Sequence, residues 1–200
     1  MGLWNHIFAA AYDPVLARAE RKGIARARET LLANCRGRVL EIGAGTGLNV
    51  EHYPAGTDVT YTEPDPHMAR RLRLKGAAVV EASAASLPFD DDSFDTVVST
   101  LVLCTVPDVP SALREVRRVL RPGGQLLFLE HVRAAPGTSL VRWQDRLHRP
   151  WKAFACGCNC NRDVLGALSD QSFDVVGSSY EWKFMPPIVR PVETGVASPA

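Results

Sequence analysis

The sequence predicts an α/β protein built on a doubly wound parallel sheet of six or seven strands. Short β-branched runs alternate with helical segments, a glycine-rich turn follows the first run, and turn residues separate the others. Strands that alternate with helices imply crossover connections, with helices on both faces of the sheet. Such sheets bind ligands at the carboxyl ends of their strands, near the point where the strand order reverses.

The candidate elements follow in a regular order within one domain. An N-terminal helical cap is predicted for residues 1–37, containing a helix over 14–35. Residues 38–131 form a core, with helices at 67–75 and 111–120. Strands are predicted at residues 38–42, 59–62, 77–81, 94–100, 125–130, 173–179 and 190–197, the last weakened by Pro191. Residues 132–163 are long for a connection and predict a helical insert before the last strands, within a substrate-side region, 132–200.

Composition excludes several classes of protein. The chain has 200 residues, with 23 Lys+Arg against 22 Asp+Glu and a formal net charge of +1. This balance argues against a strongly basic nucleic-acid binder, so no nucleic-acid partner is expected. No run approaches the ~18 apolar residues of a membrane span, and the N-terminus lacks a secretory signal pattern. The odd number of cysteines, 5, favours a reducing, cytoplasmic location.

The predicted N-terminal helix allows two interpretations. Its basic residues are Arg18, Arg21, Lys22, Arg26 and Arg28. The simpler interpretation is an amphipathic helix with a solvated basic face. The alternative is peripheral contact with anionic lipid, with Trp4, Ile7 and Phe8 in the membrane interface.

The glycine-rich turn Glu41-Ile42-Gly43-Ala44-Gly45-Thr46-Gly47 predicts a nucleoside-containing ligand. Its glycines permit positive φ and close approach of the backbone, and the following helix start offers free N–H groups. Glu63 closes the second strand, where a carboxylate can bind a ribose diol. The dinucleotide fingerprint requires Gly or Ala where this chain has Leu48. The pattern therefore favours S-adenosylmethionine, and an NAD-dependent oxidoreductase is the alternative of a different class.

Three motifs in order resemble class I S-adenosylmethionine-dependent methyltransferases of the type 11 kind. They are residues 41–47, 87–95 and 113–124. The resemblance implies a Rossmann-like methyltransferase sheet. It also implies that the glycines surround the methionine part of the cofactor, with Glu63 on the ribose. The cofactor-binding residues implied are Glu41, Gly43, Ala44, Gly45, Gly47, Glu63, Asp65, Met68, Ser83, Ala84, Leu87 and Thr100. Asp65, Met68 and Leu87 would lie near the adenine. Ser83 stands where the family commonly has an acidic residue.

A closer resemblance is to the methyltransferase-like seven group of thiol methyltransferases and its bacterial relatives. It is carried by residues 100–106, Glu130-His131-Val132, Trp143-Gln144, Gly157-Cys158-Asn159 and Arg162. The resemblance implies methyl transfer to a small apolar acceptor, with a thiol as first choice. A phospholipid or quinone methyltransferase at a membrane surface is the alternative. A non-catalytic module that binds the cofactor is a third.

Candidate catalytic chemistry centres on His131. It follows the fifth predicted strand, so it should emerge at the edge of the sheet where the methyl group lies, as a general base. The plainer interpretation is a histidine that orders the loop. His148 and Asp145 are weaker candidates, and Tyr12 is a residue that could close over the cofactor.

Two further patterns in the insert are open to structural or functional interpretations. Cys156, Cys158 and Cys160 alternate, a spacing that is awkward for one zinc ion, so no metal is predicted. A redox-sensitive loop and inert cysteines are the alternatives. Trp143, Trp151 and Phe154 recur at near-helical intervals, which indicates packing or an apolar wall for the substrate.

Overall fold

A seven-stranded mixed sheet runs through the structure, a computed structural model that describes residues 3–200 and the side chains from residue 6 onward. The strands are β1 (Arg38–Ile42), β2 (Asp58–Thr62), β3 (Val79–Val80), β4 (Phe94–Thr100), β5 (Leu120–His131), β6 (Phe173–Glu181) and β7 (Pro191–Pro199). Their order is β3-β2-β1-β4-β5-β7-β6, with β7 antiparallel to both neighbours. The strand order reverses between β1 and β4, which places the expected ligand site at their carboxyl ends. The predicted fold class is confirmed, with seven strands.

Helices cover both faces of the sheet. They are α1 (Leu3–Ala19), α2 (Ala25–Leu32), α3 (Pro66–Leu74), α4 (Val109–Val119), α5 (Ser139–Phe154) and α6 (Val164–Asp170). Short 3₁₀ turns occur at Val50–His52 and Pro187–Val189. One face packs α4 and α6 against residues such as Ile42 and Phe128, and the other packs α2 against residues such as Val98 and Leu129. None of the helices that the structure describes is long and apolar enough to cross a membrane.

The N-terminal cap departs from the predicted single helix over 14–35. α1 begins at Leu3, and a π-helical segment, Glu20–Ile24, separates it from α2. Gly23 in that segment has φ 147°, a backbone conformation that residues with a side chain rarely adopt, and the chain turns there. The basic face is also smaller than predicted. Arg28 is buried, whereas the other four basic residues of the predicted face are not.

The last strands extend the predicted sheet. β7 forms despite Pro191, because this proline is the first residue of the strand, where a missing N–H is tolerated. β5 begins earlier than predicted: Leu120 pairs with Phe94, and Gln125 pairs next, with Thr96. Residues 121–124, which lie between the predicted helix and strand, are therefore an irregularity within the strand pairing. The predicted insert contains α5, and its buried Gln144 bonds three backbone carbonyls, of Val132, Cys160 and Ile188.

Candidate active site

The glycine loop leaves β1 at the switch point of the sheet. Gly43, Gly45 and Gly47 have φ of 56°, 58° and 77°. A Cβ on Gly43 would lie 2.7 Å from Val102, and one on Gly47 would lie 2.5 Å from Leu72, so both positions require glycine for packing. A Cβ on Gly45 would meet only the Gly43 carbonyl, at 4.0 Å. The loop is therefore closely packed at Gly43 and Gly47 and open at Gly45, which leaves room for a ligand at Gly45.

Glu63 joins the end of β2 to this loop. Its two carboxylate oxygens accept hydrogen bonds from the backbone N–H of Gly45 and of Asp65, each at 2.8 Å. Burial raises the pKa of Glu63, while these two N–H donors oppose the shift. Each carboxylate oxygen keeps a free lone pair, so the side chain can still accept bonds from a diol.

The residues predicted around the adenine divide into two groups. Asp65 caps α3 by accepting from the N–H of His67 and Met68, which fixes the chain just beyond Glu63. Ser83 is exposed and accepts from the Ala85 N–H. Ala84 and Leu87 instead have buried side chains in the main core, so only their backbone could approach an adenine.

Glu41 and Thr100 lie in a buried polar network on the face covered by α2. Glu41 accepts from Asn49 at 2.9 Å and from the Tyr53 hydroxyl at 2.6 Å. Arg28 donates to the oxygens of Asn49 and Thr100, at 2.8 and 3.1 Å, and pairs with Glu20. Burial raises the pKa of Glu41 to about 7, although both hydrogen bonds and the Arg28 charge oppose the shift.

The N-terminal cap contacts the glycine loop directly. Asp13 on α1 accepts a 2.5 Å hydrogen bond from the Thr46 hydroxyl of the loop. Lys75, which directly follows α3, donates from its ammonium group to the Gly47 carbonyl of the same loop. Tyr12 is half-buried beside Phe8, and burial raises the pKa of its hydroxyl, which also feels the charge of Arg28. α1 therefore lies over the loop rather than apart from it.

His131 ends β5 on the same face as Glu41 and Thr100. Its ring is buried and meets Trp182 edge-on, with ring centres 5.5 Å apart. Burial lowers the pKa of His131 to about 4, although the nearby Val189 carbonyl favours the protonated ring. The imidazole is therefore neutral near pH 7, and its Nδ1 has no hydrogen-bond partner among the described residues.

The loop after β4 is held from both sides. Glu130 accepts from the Ser99 hydroxyl and from the N–H groups of Val102, Leu103 and Cys104, and burial raises its pKa. From the insert, Arg162 donates to the carbonyls of Leu103 and Val106, and Asn159 donates to that of Cys104. The insert and the β4 loop therefore form one unit beside the site.

The cysteines of the insert contribute to an apolar cluster. Cys158 and Cys160 are buried with Cys104, Ile188 and Val189, and the hydrogen bond to Cys158 raises the pKa of Cys104. All five cysteines are free. Across residues 3–200, no three His, Cys, Asp or Glu side chains lie together in a way that could hold a metal ion.

Known proteins resemble this chain in sequence and in fold. Residues 40–128 match the model of a methyltransferase domain. Human thiol S-methyltransferase TMT1A is 36% identical over 194 residues, covering 86% of this chain and 79% of that protein. The chain belongs to the methyltransferase family of TMT1A.

More distant similarities agree with this family. Phosphatidylethanolamine N-methyltransferase of Cereibacter sphaeroides is 34% identical over 137 residues, which cover 61% of this chain and 68% of that protein. The crystal structure of a Thermotoga maritima S-adenosylmethionine-dependent methyltransferase, described as a possible histamine N-methyltransferase, is 25% identical. It has a TM-score of 0.68, with 96% of each chain covered. These findings confirm the predicted class, and they decide against an NAD-dependent oxidoreductase.

The protein is thus a methyltransferase, with S-adenosylmethionine as its methyl donor. The cofactor fits the observed geometry. The loop is open at Gly45, and the Glu63 carboxylate beside it has acceptor capacity for a ribose. The cofactor supplies a methyl group already activated on a sulfonium, so the chain's own residues have mainly to bind and align the reactants.

Sequence reasoning missed several residues of this site. Arg28 was assigned to a solvated face, and Asn49, Tyr53 and Glu130 were not assigned roles in the buried networks. Glu130 precedes His131 within the conspicuous Glu-His-Val run, and a carboxylate in an otherwise apolar strand was the available signal. Nothing in the local pattern distinguished Arg28 from its basic neighbours.

Proposed function

We propose that this methyltransferase transfers the methyl group to the sulfur of a small apolar thiol. The observation that carries the proposal is the apolar cluster beside the β4 loop, in which Cys104 packs with Ile188 and Val189, close to the neutral ring of His131. The similarity to TMT1A, a thiol S-methyltransferase, supports the same acceptor. A thiol has a pKa of about 8.5, so it needs less help to react than an alcohol does.

His131 would orient the acceptor rather than act as a strong base. With a pKa of about 4, the ring holds a proton poorly near pH 7, but its unpartnered Nδ1 can accept a hydrogen bond from S–H. Because Nδ1 is buried, an acceptor reaches it only when the surrounding side chains move.

Glu63, the glycine loop and Asp65 would hold the cofactor. In this proposal Glu63 bonds the ribose hydroxyls, while Gly43, Gly45 and Gly47 line the methionine part. Ala44 and Met68 flank these groups, and the backbone at Ser83, Ala84 and Leu87 borders the adenine. Glu41 and Thr100, tied to Arg28, would stiffen the floor of the site.

The acceptor is tested with labelled S-adenosylmethionine and matched compounds. The purified protein is incubated with an alkyl thiol, with the alcohol and the amine of the same carbon skeleton, with a quinol and with phosphatidylethanolamine. We expect label in the thioether, at a rate at least about tenfold above that with the alcohol. Cofactor binding with no turnover of any thiol would overturn the proposal and favour a binding module.

The alternative acceptor is a phospholipid at a membrane surface. The similarity to phosphatidylethanolamine N-methyltransferase favours it, as does the exposure of Ile7 and Val15 on α1, which gives the N-terminal helix apolar side chains for peripheral membrane contact. Label appearing in phosphatidylethanolamine but not in the thiol would establish this alternative.

A further inference from the structure

We infer that the exposed face of α5 is a docking surface for an anionic lipid membrane. Trp143, Leu147 and Phe154 are 54%, 37% and 59% exposed. With about 100° of rotation per residue, these side chains and exposed Pro150 fall within a stripe of about 60° along the helix. The sequence pattern suggested packing or a substrate wall for Trp143 and Phe154, but the structure presents both to solvent. We call these four residues the α5 stripe.

Basic residues accompany the α5 stripe. Arg146 lies about 70° around the helix from the centre of the stripe, and Arg142 and Arg149 lie about 110–130° from it, on the same side. All three are exposed, and none of them forms an ion pair within the part of the chain that the structure describes. The Arg146 guanidinium lies 6.0 Å from the centre of the Trp143 ring. An exposed helix with large apolar side chains and adjacent cations has the composition of helices that lie in the interface of anionic membranes.

The acidic residue of the helix does not offset these charges. Asp145 forms a bidentate ion pair with Arg133, both distances being 2.7 Å, and also accepts from Asn161. Its carboxylate is therefore neutralised within the protein. The three arginines remain available to phosphate groups, and each such cation near an anionic surface contributes about 1 kcal/mol of attraction.

The orientation of α5 is fixed, so the stripe cannot turn inward. Gln144 is fully buried, donates to three backbone carbonyls and accepts from the Ala134 N–H. Charge also selects the partner. In a symmetric pair of copies, the same basic surface would face itself, whereas anionic headgroups complement it.

The surface lies beside the proposed acceptor side of the site. The ring of Phe154 lies 5.9 Å from that of Trp151, and Trp151 packs on the buried cluster that holds Cys104 and Cys158. A membrane bound to the α5 stripe would therefore adjoin the elements that surround an apolar acceptor. Binding itself does not depend on which acceptor is used.

The inference is tested by co-sedimentation of the full chain with phosphatidylcholine vesicles, with and without phosphatidylglycerol. Wild type should bind the anionic vesicles and lose that binding at high salt. Arg142→Gln with Arg149→Gln should lower the partition coefficient about 30-fold, as expected for two cations. Trp143→Ser with Leu147→Ser should lower it about tenfold or more.

Matched controls use exposed residues elsewhere. Val176→Ser and Arg70→Gln should leave binding unchanged, since Val176 is 79% exposed on β6 and Arg70 is exposed on α3. Retained binding in both α5 variants, or loss only in Ile7→Ser with Val15→Ser on α1, would refute the inference. A wild-type dimer that the α5 variants dissociate would show that a second copy covers this face. If Trp143→Ser with Leu147→Ser fails to fold, vesicle binding by Arg142→Gln with Arg149→Gln still tests the inference.

Discussion

Glu63 shows how one side chain can serve both the fold and the ligand. Its carboxylate bridges the N–H groups of Gly45 and Asp65, and so positions the glycine loop. The glutamine of Glu63→Gln can accept hydrogen bonds on one oxygen only. We therefore expect the free energy of S-adenosylhomocysteine binding to become less favourable by about 1–3 kcal/mol. Isothermal titration calorimetry measures this change. Asp58→Asn, at the exposed start of the same strand, should have no effect. Unchanged affinity in the Glu63 variant would refute the ribose assignment.

At the same scale, the residues that could be predicted are those with local motifs. The contact between the glycine loop and Glu63 was predictable from spacing, because a strand, a turn and the next strand fix their relation. Arg28 was not, because its role depends on Thr100, which lies 72 residues away in the sequence. A buried arginine and an exposed one have the same local pattern when they share a helix with basic neighbours.

Among the elements, the break between α1 and α2 is determined by one glycine. Gly23 has φ 147°, and a Cβ there would meet only the Phe184 ring, at an ordinary 3.6 Å. Gly23→Ala therefore tests backbone strain without a steric clash. We expect it to lower the free energy of unfolding, measured by urea denaturation, by about 1–3 kcal/mol. The control is Gly56→Ala, where the added methyl group would lie in open space at φ 84°. It should lower the free energy of unfolding by less, about 1 kcal/mol. Equal stability of Gly23→Ala and wild type would contradict this account.

Element types were predictable where the hydrophobic pattern was consistent, and boundaries were not. The alternation of strands and helices predicted six strands and a seventh weakened by Pro191. β7 forms nonetheless, because a proline is tolerated at the first residue of a strand. The break at Gly23 was missed, since apolar residues continue at helical spacing on both sides of it. The exposure of the α5 stripe was missed for a related reason. Periodicity identifies an apolar face but does not show whether another element covers it.

Across the whole molecule, buried titratable groups oppose one another in acid. The unfolded His131 binds a proton near pH 6.5 but the folded ring only near pH 4, so this residue destabilises the fold as the pH falls below 6.5. Folded Glu41 binds its proton near pH 7, above the unfolded value of about 4.5, so it stabilises the fold over the same fall. From pH 7 to pH 5, each effect amounts to about 2 kcal/mol, with opposite signs.

Single variants at these two positions should separate the two effects. In Glu41→Gln the favourable change is removed, so the change in the free energy of unfolding from pH 7 to pH 5 should be about 2 kcal/mol more negative than in wild type. In His131→Gln the unfavourable change is removed, so the same change in free energy should be about 2 kcal/mol more positive than in wild type. Urea denaturation at the two pH values measures both slopes, and comparing slopes cancels any pH-independent packing effect of the substitutions. Parallel slopes in wild type and both variants would show that neither group changes protonation on unfolding, against the burial of both side chains in the structure.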